Sequence, residues 1–294
     1  MSYIISCCTT TDMNKEHYEK FNEKYIGFHY MIDGKSYTDD MGETMSMQEF
    51  YRHIRAGAET STSQVAVGEY VDYFRKLLAT GQDVLHATLS SGISSTYQSA
   101  LTAAEMVSPE FPDRKLYIVD SLCASSGSGL FVDLLAQKRD AGEPIEEVYQ
   151  WALNHRQNVS HWFCSTDLTY YIKGGRVSKI SGVIGGVFQI CPLLNVSPTG
   201  KLVPIAKVRT KKKVLTALVD KMQQHAQGGL DYDGPCYISN SDCLADAESV
   251  RNQILARFPK VKEVPIFDIG TTIGCHTGTG TVALFFLGDE REDA

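Results

Sequence analysis

Apolar and polar positions change period repeatedly along this chain. Short runs rich in β-branched and aromatic residues predict strands at 3–7, 25–31, 83–88, 116–119, 162–165, 202–208, 235–239, 264–268 and 281–287. Between them, apolar residues recur at helical spacing. Val67, Tyr70, Val71, Phe74 and Leu78 make one stripe, and Leu244, Ala247, Val250 and Ile254 another. Ser46 followed by Glu49 has the form of a capping box and predicts a helix running to Arg55. Further helices are predicted over 95–107, 124–139, 144–156, 211–226 and 243–257. Strands alternating with helices predict an α/β fold with a largely parallel sheet. The small-residue segment GGRVSKISGVIGG at 174–186 predicts a structured loop with a short helix. A change of domain is expected near 155–165. It divides the chain into an N-terminal α/β domain, 1–160, and a C-terminal α/β domain, 161–294.

Composition narrows the function classes. A chain of 294 residues is long enough for two domains, and 43% hydrophobic residues supply a sizeable core. The formal net charge of −7 argues against a nucleic-acid partner. The basic run Arg209, Lys211, Lys212 and Lys213 is short and reads as a solvated helix start. Apolar runs stay well below the roughly 18 residues of a membrane span, so no integral membrane segment is expected. The N-terminal stretch lacks the charged and apolar regions of a signal peptide, which makes a cytoplasmic location the expectation. None of the eight cysteines forms a CxxC pair or a zinc-finger spacing. They are expected to be buried small hydrophobes, with no metal and no cofactor.

Three segments concentrate hydroxyls and glycine where a strand is expected to turn into a helix: TSTSQ at 60–64, LSSGISSTYQSA at 89–100 and DSLCASSGSG at 120–129. Unpaired amides and a partial positive charge at a helix N-terminus, joined by hydroxyl donors, suit a carboxylate or phosphate. Such residues are also ordinary helix caps, and a single segment of this kind is more readily a cap than a site. Enzyme signatures are weak. Gly92-Ile93-Ser94-Ser95-Thr96 is not the GxSxG of a nucleophile elbow. Gly278-Thr279-Gly280 precedes a strand rather than the helix of a dinucleotide fingerprint. P-loop and HExxH motifs are absent from the sequence. His276, in IGTTIGCHTGTG, and Arg176, in KGGRVSK, sit among small residues that permit close backbone approach. Each reads equally as a structural side chain.

Taken in order, TSTSQ, LSSGISSTYQSA, VDSLCASSGSGL (119–130), YIKGGRVSK (171–179), PLLNVSPTGKLVPIAKVRTKKK (192–213) and IGTTIGCHTGTG (269–280) resemble the DegV family, the fatty-acid-binding subunits of bacterial fatty acid kinase. The resemblance runs nearly the full length. It implies a two-domain fold with a lipid tunnel between a mainly parallel N-terminal α/β domain and a second α/β domain. It also implies a long-chain fatty acid as ligand, its carboxylate held by Thr62 and Ser94, with Ser63, Ser95, Arg176 and His276 near the head group or facing a partner. A separate fatty acid kinase would phosphorylate the bound acid to an acyl phosphate for phospholipid synthesis, leaving this chain a non-catalytic subunit. Ile93, Val183, Ile184, Phe188, Ile190 and Phe285 are candidates to line the acyl chain. The sequence departs from the family pattern at Cys8 and Thr9, where an Asp-Ser pair is common, and at Val65, Ser95 and Thr279. Two other readings remain open at this point: a lipid hydrolase using Ser94 and His276, and a lipid-bound regulatory protein without kinase coupling.

Overall fold

The computed structural model describes residues 3–177 and 190–292. In chain order the strands are β1 (Ile4–Cys8), β2 (Glu23–Ile26), β3 (His29–Ile32), β4 (Lys35–Thr38), β5 (Thr60–Ser63), β6 (Val84–Thr88), β7 (Leu116–Asp120), β8 (Val159–Cys164), β9 (Ile190–Val196), β10 (Leu202–Arg209), β11 (Cys236–Asn240), β12 (Ile266–Asp268) and β13 (Val282–Leu287). The helices are α1 (Lys15–Lys20), α2 (Met47–Arg55), α3 (Val67–Leu78), α4 (Thr96–Val107), α5 (Ser126–Asp140), α6 (Ile145–His155), α7 (Thr169–Lys173), α8 (Lys211–His225), α9 (Leu244–Arg257) and α10 (Thr271–Thr277).

The first sheet has the order β2-β1-β6-β7, and all its pairs are parallel. Its central strands, IISCC and VLHAT, are buried at every position, as expected where layers cover both faces. The second sheet has the order β10-β9-β8-β13-β11-β12, and there only β11 and β12 run parallel. The parallel arrangement expected from strand–helix alternation therefore belongs to the N-terminal half. The C-terminal half places the tight β9–β10 hairpin in its sheet and inserts β13, its last strand, between β8 and β11.

A third, small antiparallel sheet has the order β4-β3-β5. The single strand predicted over 25–31 is in fact two, β2 and β3, in different sheets. Gly27 stands at the change. A Cβ there would lie 2.8 Å from Thr38 Cγ2 and 3.0 Å from the Asp39 carbonyl oxygen.

Helix α5 joins the two larger sheets. It touches β1 on one side and β8, β11 and β13 on the other. A helix buried on all sides needs no polar stripe, and most of α5 is buried. Its opening residues are small because the second sheet and Met13 approach them closely. A Cβ on Gly127 would lie 2.2 Å from His161 Nε2 and 2.7 Å from Phe285 Cδ1, and one on Gly129 would lie 1.9 Å from Met13 Cε. The core around α5 mixes Ile5, Leu85 and Phe131 with Phe163, Leu194 and Phe285. The second sheet begins at β8, but packing is continuous across that point. On the outer layers, α3 and α4 cover the first sheet and α8 and α9 the second. Near the C-terminus, α10 packs back on the small sheet and α2, with Cys275 against Tyr30, Phe50 and Ile54.

Candidate functional site

The start of α4, strand β5, helix α10 and the turn after α7 meet around one cavity. Thr62 reaches it from β5, where it pairs with Tyr30 of β3. Side chains alternate along a strand, so Thr60 and Thr62 face α10 while Ser61 and Ser63 are exposed. Thr60 Oγ1 donates to the Cys275 carbonyl at 3.1 Å, and Thr62 Oγ1 lies 2.7 Å from His276 Nε2. TSTSQ precedes a helix, as expected, since β5 is followed by α3. It is an edge strand, and the pleat, rather than a helix terminus, aims Thr62. Helix α3 starts later, at Val67, where Glu69 accepts from the Ala66 amide at 2.7 Å.

The segment 89–100 divides its labour. Ser90 Oγ donates to the Gly200 carbonyl at 2.8 Å, and Ser91 Oγ to Asp120 at 2.5 Å. Gly92 lies so close to the 199–200 turn that a Cβ would meet its backbone at 2.4–2.6 Å. Ser90 and Gly92 thereby lock the turn before α4 onto the second half of the chain, while Ser91 ties it to the end of β7. Ser94 is left to face the cavity. Its Oγ accepts from the Thr96 amide at 3.2 Å, which leaves the hydroxyl proton to donate elsewhere. Ser95, the residue that opens α4, is exposed and makes no side-chain cap.

His276 stands near the end of α10, which stops at Gly278 in a positive-φ conformation. Gly174 makes room for its ring, because a Cβ on Gly174 would sit 2.2 Å from His276 Nδ1. That Nδ1 is buried and has no hydrogen-bond partner among the described residues. Burial, reinforced by the charge of Arg176, pulls the His276 pKa down to about 4, so the imidazole is neutral near pH 7. The half-buried Arg176 donates through Nε to the Ile93 carbonyl at 3.2 Å and through Nη1 to the Gly174 carbonyl at 2.5 Å. It thereby ties the KGGR turn to the residue just before Ser94.

The third hydroxyl-rich segment is a joint instead of a ligand loop. Ser125 Oγ donates to Asp12 at 2.5 Å, and Ser239 Oγ to Ser126 Oγ at 2.6 Å. Only Ala124 of this stretch lines the cavity.

The cavity encloses about 950 Å³, and its wall brings together Thr62, Ser63, Ile93, Ser94, Ser95, Arg176 and His276. It narrows past Ala124, Tyr171, Leu202, Ile273 and Thr277 into an apolar arm of about 50 Å³ that reaches Phe163 and Phe285. Ile190 opens β9 opposite Arg209 and lines neither space. Val183, Ile184 and Phe188 lie outside the described residues. Lys201 also lines the cavity and was not among the expected site residues. Its signal is the PTGK turn, where Gly200 has φ +73°, but only the fold shows that this turn lies against Gly92. A second open cavity, around His17, Phe21, Tyr237 and Phe267, shares no lining residue with this one.

The DegV family profile, that of an uncharacterised protein family, matches residues 8–289. This chain belongs to the DegV family. A DegV domain-containing protein of Clostridium perfringens is 33% identical over 290 residues, covering 99% of each chain. Among solved structures, a DegV lipid-binding protein from Thermotoga maritima is 28% identical with a TM-score of 0.86, covering 99% of this chain and 100% of its own. A second Thermotoga maritima protein, whose structure reveals fatty acid binding function, is 28% identical with a TM-score of 0.84, covering 98% of this chain and 99% of its own. In this DegV chain no described helix is long and apolar enough to cross a membrane, and no group of acidic, His and Cys side chains among the described residues could hold a metal ion. His276 Nε2 is engaged with Thr62, and among the described residues no hydrogen bond joins it to Ser94. The Ser94–His276 pairing that a hydrolase would need is not formed in this DegV protein.

Proposed function

We propose that this DegV protein binds a long-chain fatty acid with its carboxylate at Thr62 and Ser94, and presents that carboxylate to a separate fatty acid kinase. One observation carries the reading: the two hydroxyls line the same polar cavity, and that cavity leads into an apolar arm. The fatty-acid-binding relative of matching fold supports it.

The hydroxyls are arranged to donate. With Nε2–H of the neutral His276 donating to Thr62 Oγ1, the Thr62 proton is free to point into the cavity. Ser94, already accepting from the Thr96 amide, does the same. Hydrogen bonds to an ionised acceptor are the strong kind, each contributing about 1.5–3 kcal/mol. Arg176 and Lys201 add positive charge on the same wall. The acyl chain provides the larger share of affinity, at roughly 0.8 kcal/mol per buried methylene. The apolar arm as it stands has room for about one or two water-sized groups, so a long chain opens it further on loading. In the kinase reaction a carboxylate oxygen attacks the γ-phosphorus of ATP, the bond to the ADP oxygen breaks, and an acyl phosphate forms. The sequence carries no P-loop, which fits a nucleotide site supplied by the partner.

The test has two stages. Protein purified from bacteria should release long-chain fatty acid on organic extraction, seen by mass spectrometry. The Thr62→Ala/Ser94→Ala double variant should bind palmitate at least tenfold more weakly, measured by displacement of a fluorescent fatty acid. A folded double variant of unchanged affinity would remove the head-group assignment. Incubation with ATP and the cognate kinase should then convert bound acid to acyl phosphate. Persistence of the free acid in that assay would instead favour a regulatory lipid-bound protein.

A further inference from the structure

The apolar arm ends against β8 and the end of β9. Strand β8 pairs with β9 only from Trp162 opposite Asn195 to Cys164 opposite Leu193. On its other side it stays paired with β13 as far back as Val159. Continued one step, the β8–β9 register sets His161 opposite Val196, the last residue of β9. On the other face of these strands lies an outer cavity of about 450 Å³. His161 and Val196 line both that cavity and the apolar arm. Their side chains lie on the arm's face of the sheet with Phe163 and Phe285, whereas Trp162 and Leu193 face α8 on the other, so the two side chains close the end of the arm and the strands themselves separate it from the outer cavity.

His161 is held rigidly at that end of the arm. Its Nδ1–H donates to the Val159 carbonyl at 2.8 Å, and its Nε2 accepts from the Ala124 amide at 3.2 Å. Both ring nitrogens are used, which sets one tautomer and one ring plane. The ring meets Phe285 edge-on, with centroids 5.1 Å apart and planes at 83°. Behind it, Gly127 leaves no spare space, since a Cβ there would overlap Nε2. Burial leaves the imidazole neutral, with a pKa near 3, so the ring keeps its hydrogen bonds across the physiological range.

We propose that His161, with Val196, is a fixed stop at the far end of the acyl channel and sets the longest chain the protein accepts. This rests on reading the cavity as a fatty-acid site. An acid that fits gains affinity with every methylene it buries. One whose terminal carbons meet the imidazole gains nothing more, because the ring has no second position to adopt. Shortening either side chain lengthens the arm by the space that the side chain fills.

The experiment measures palmitate-displacement affinity for saturated acids of increasing length, using the full chain and three variants. In the parent protein affinity rises with length and then breaks. In His161→Ala and in Val196→Ala the break should move to longer acids, each extra carbon strengthening binding by roughly fourfold. In His161→Phe, which keeps the bulk, the break should stay. His161→Ala leaves the Ala124 amide and Val159 carbonyl without their partner, so Val196→Ala decides the question if that variant does not fold. The same break in the parent and in both alanine variants, all of them binding acid, overturns the stop alone. Failure of the parent to bind any acid overturns the fatty-acid reading and the stop with it.

Discussion

Gly174 shows how closely the site is tailored around His276. A methyl group there would overlap Nδ1, and it would also lie 3.2 Å from the Tyr170 carbonyl oxygen. Gly175, its neighbour, has open space around its Cβ position but a φ of +72°. The two glycines therefore serve different needs, one for room and one for backbone conformation. Gly174→Ala should destabilise the protein by about 1–3 kcal/mol, the usual range for overpacking. It should also weaken fatty-acid binding, because His276 can no longer hold Thr62. Gly175→Ala should cost about 1–2 kcal/mol through its left-handed backbone and leave affinity near the parent value. Thermal midpoints and displacement titrations on both variants separate the two effects, and equal affinity in both would show that His276 does not position Thr62. At this scale the sequence was partly legible. Thr62, Ser94, Arg176 and His276 stand in ordered motifs, and the fold gathers them on one wall. Lys201 escaped because a charged side chain in a turn gives no sign of which distant loop it will face.

Helix α5 carries the corresponding lesson for elements. Its small residues look like an anion-binding loop in sequence, yet they serve to seat a helix between two sheets. The two glycines at its start meet different neighbours. Gly127 faces the rings of His161 and Phe285, whereas Gly129 faces the flexible end of Met13. Replacing a helical glycine by alanine gains roughly 1 kcal/mol of intrinsic propensity. At Gly129 a rotamer change in Met13 can relieve the contact, so Gly129→Ala should lie within about 1 kcal/mol of the parent. At Gly127 neither ring can yield without losing its own packing, so Gly127→Ala should destabilise by about 1–3 kcal/mol. Urea denaturation of the pair checks the ordering, and equal stability would mean that β8 and β13 shift freely. Long periodic elements, such as α3 and α9, were readable because their stripes repeat over several turns. Strand β5 was not, since TSTS contains no apolar residue. Helix α10 was not, since a seven-residue run of Thr, Ile, Gly, Cys and His is too short to repeat a stripe. These two short elements carry Thr62 and His276, so the local structure at the site was the hardest part to foresee.

Across the whole molecule, buried ionisable groups set opposing dependences on pH. His276, His86 and His161 have pKa values lowered by burial, to about 4 for the first and about 3 for the other two, from an ordinary 6.5. Between those values the unfolded chain binds more protons than the folded one, so stability falls as pH drops below 6.5. Asp12, Asp39 and Glu23 are shifted the other way. Burial raises the pKa of all three, and the Asp133 carboxylate beside Glu23 adds to its shift. For these the folded state binds more protons above the ordinary 3.8 or 4.5, so their contribution is present at low pH and is lost as pH rises through the folded values. From pH 8 down to 6.5 the folded protein keeps a proton on Glu23, raised to about 9, that the unfolded chain has released, and acidification should stabilise the protein. From 6.5 to 4.5 the two sets oppose each other, and the curve should flatten. Below about 4 the acids are protonated in both states, while His86 and His161 still resist charging, so stability should fall steeply. The expected result is a urea midpoint that is greatest between pH 4.5 and 6.5. A midpoint that instead climbs steadily from pH 5 to 8 would show that Asp12, Asp39 and Glu23 are ionised in the folded protein, and that the joint between Asp12, Ser125 and the Gly270 amide is held by a carboxylate rather than a carboxylic acid.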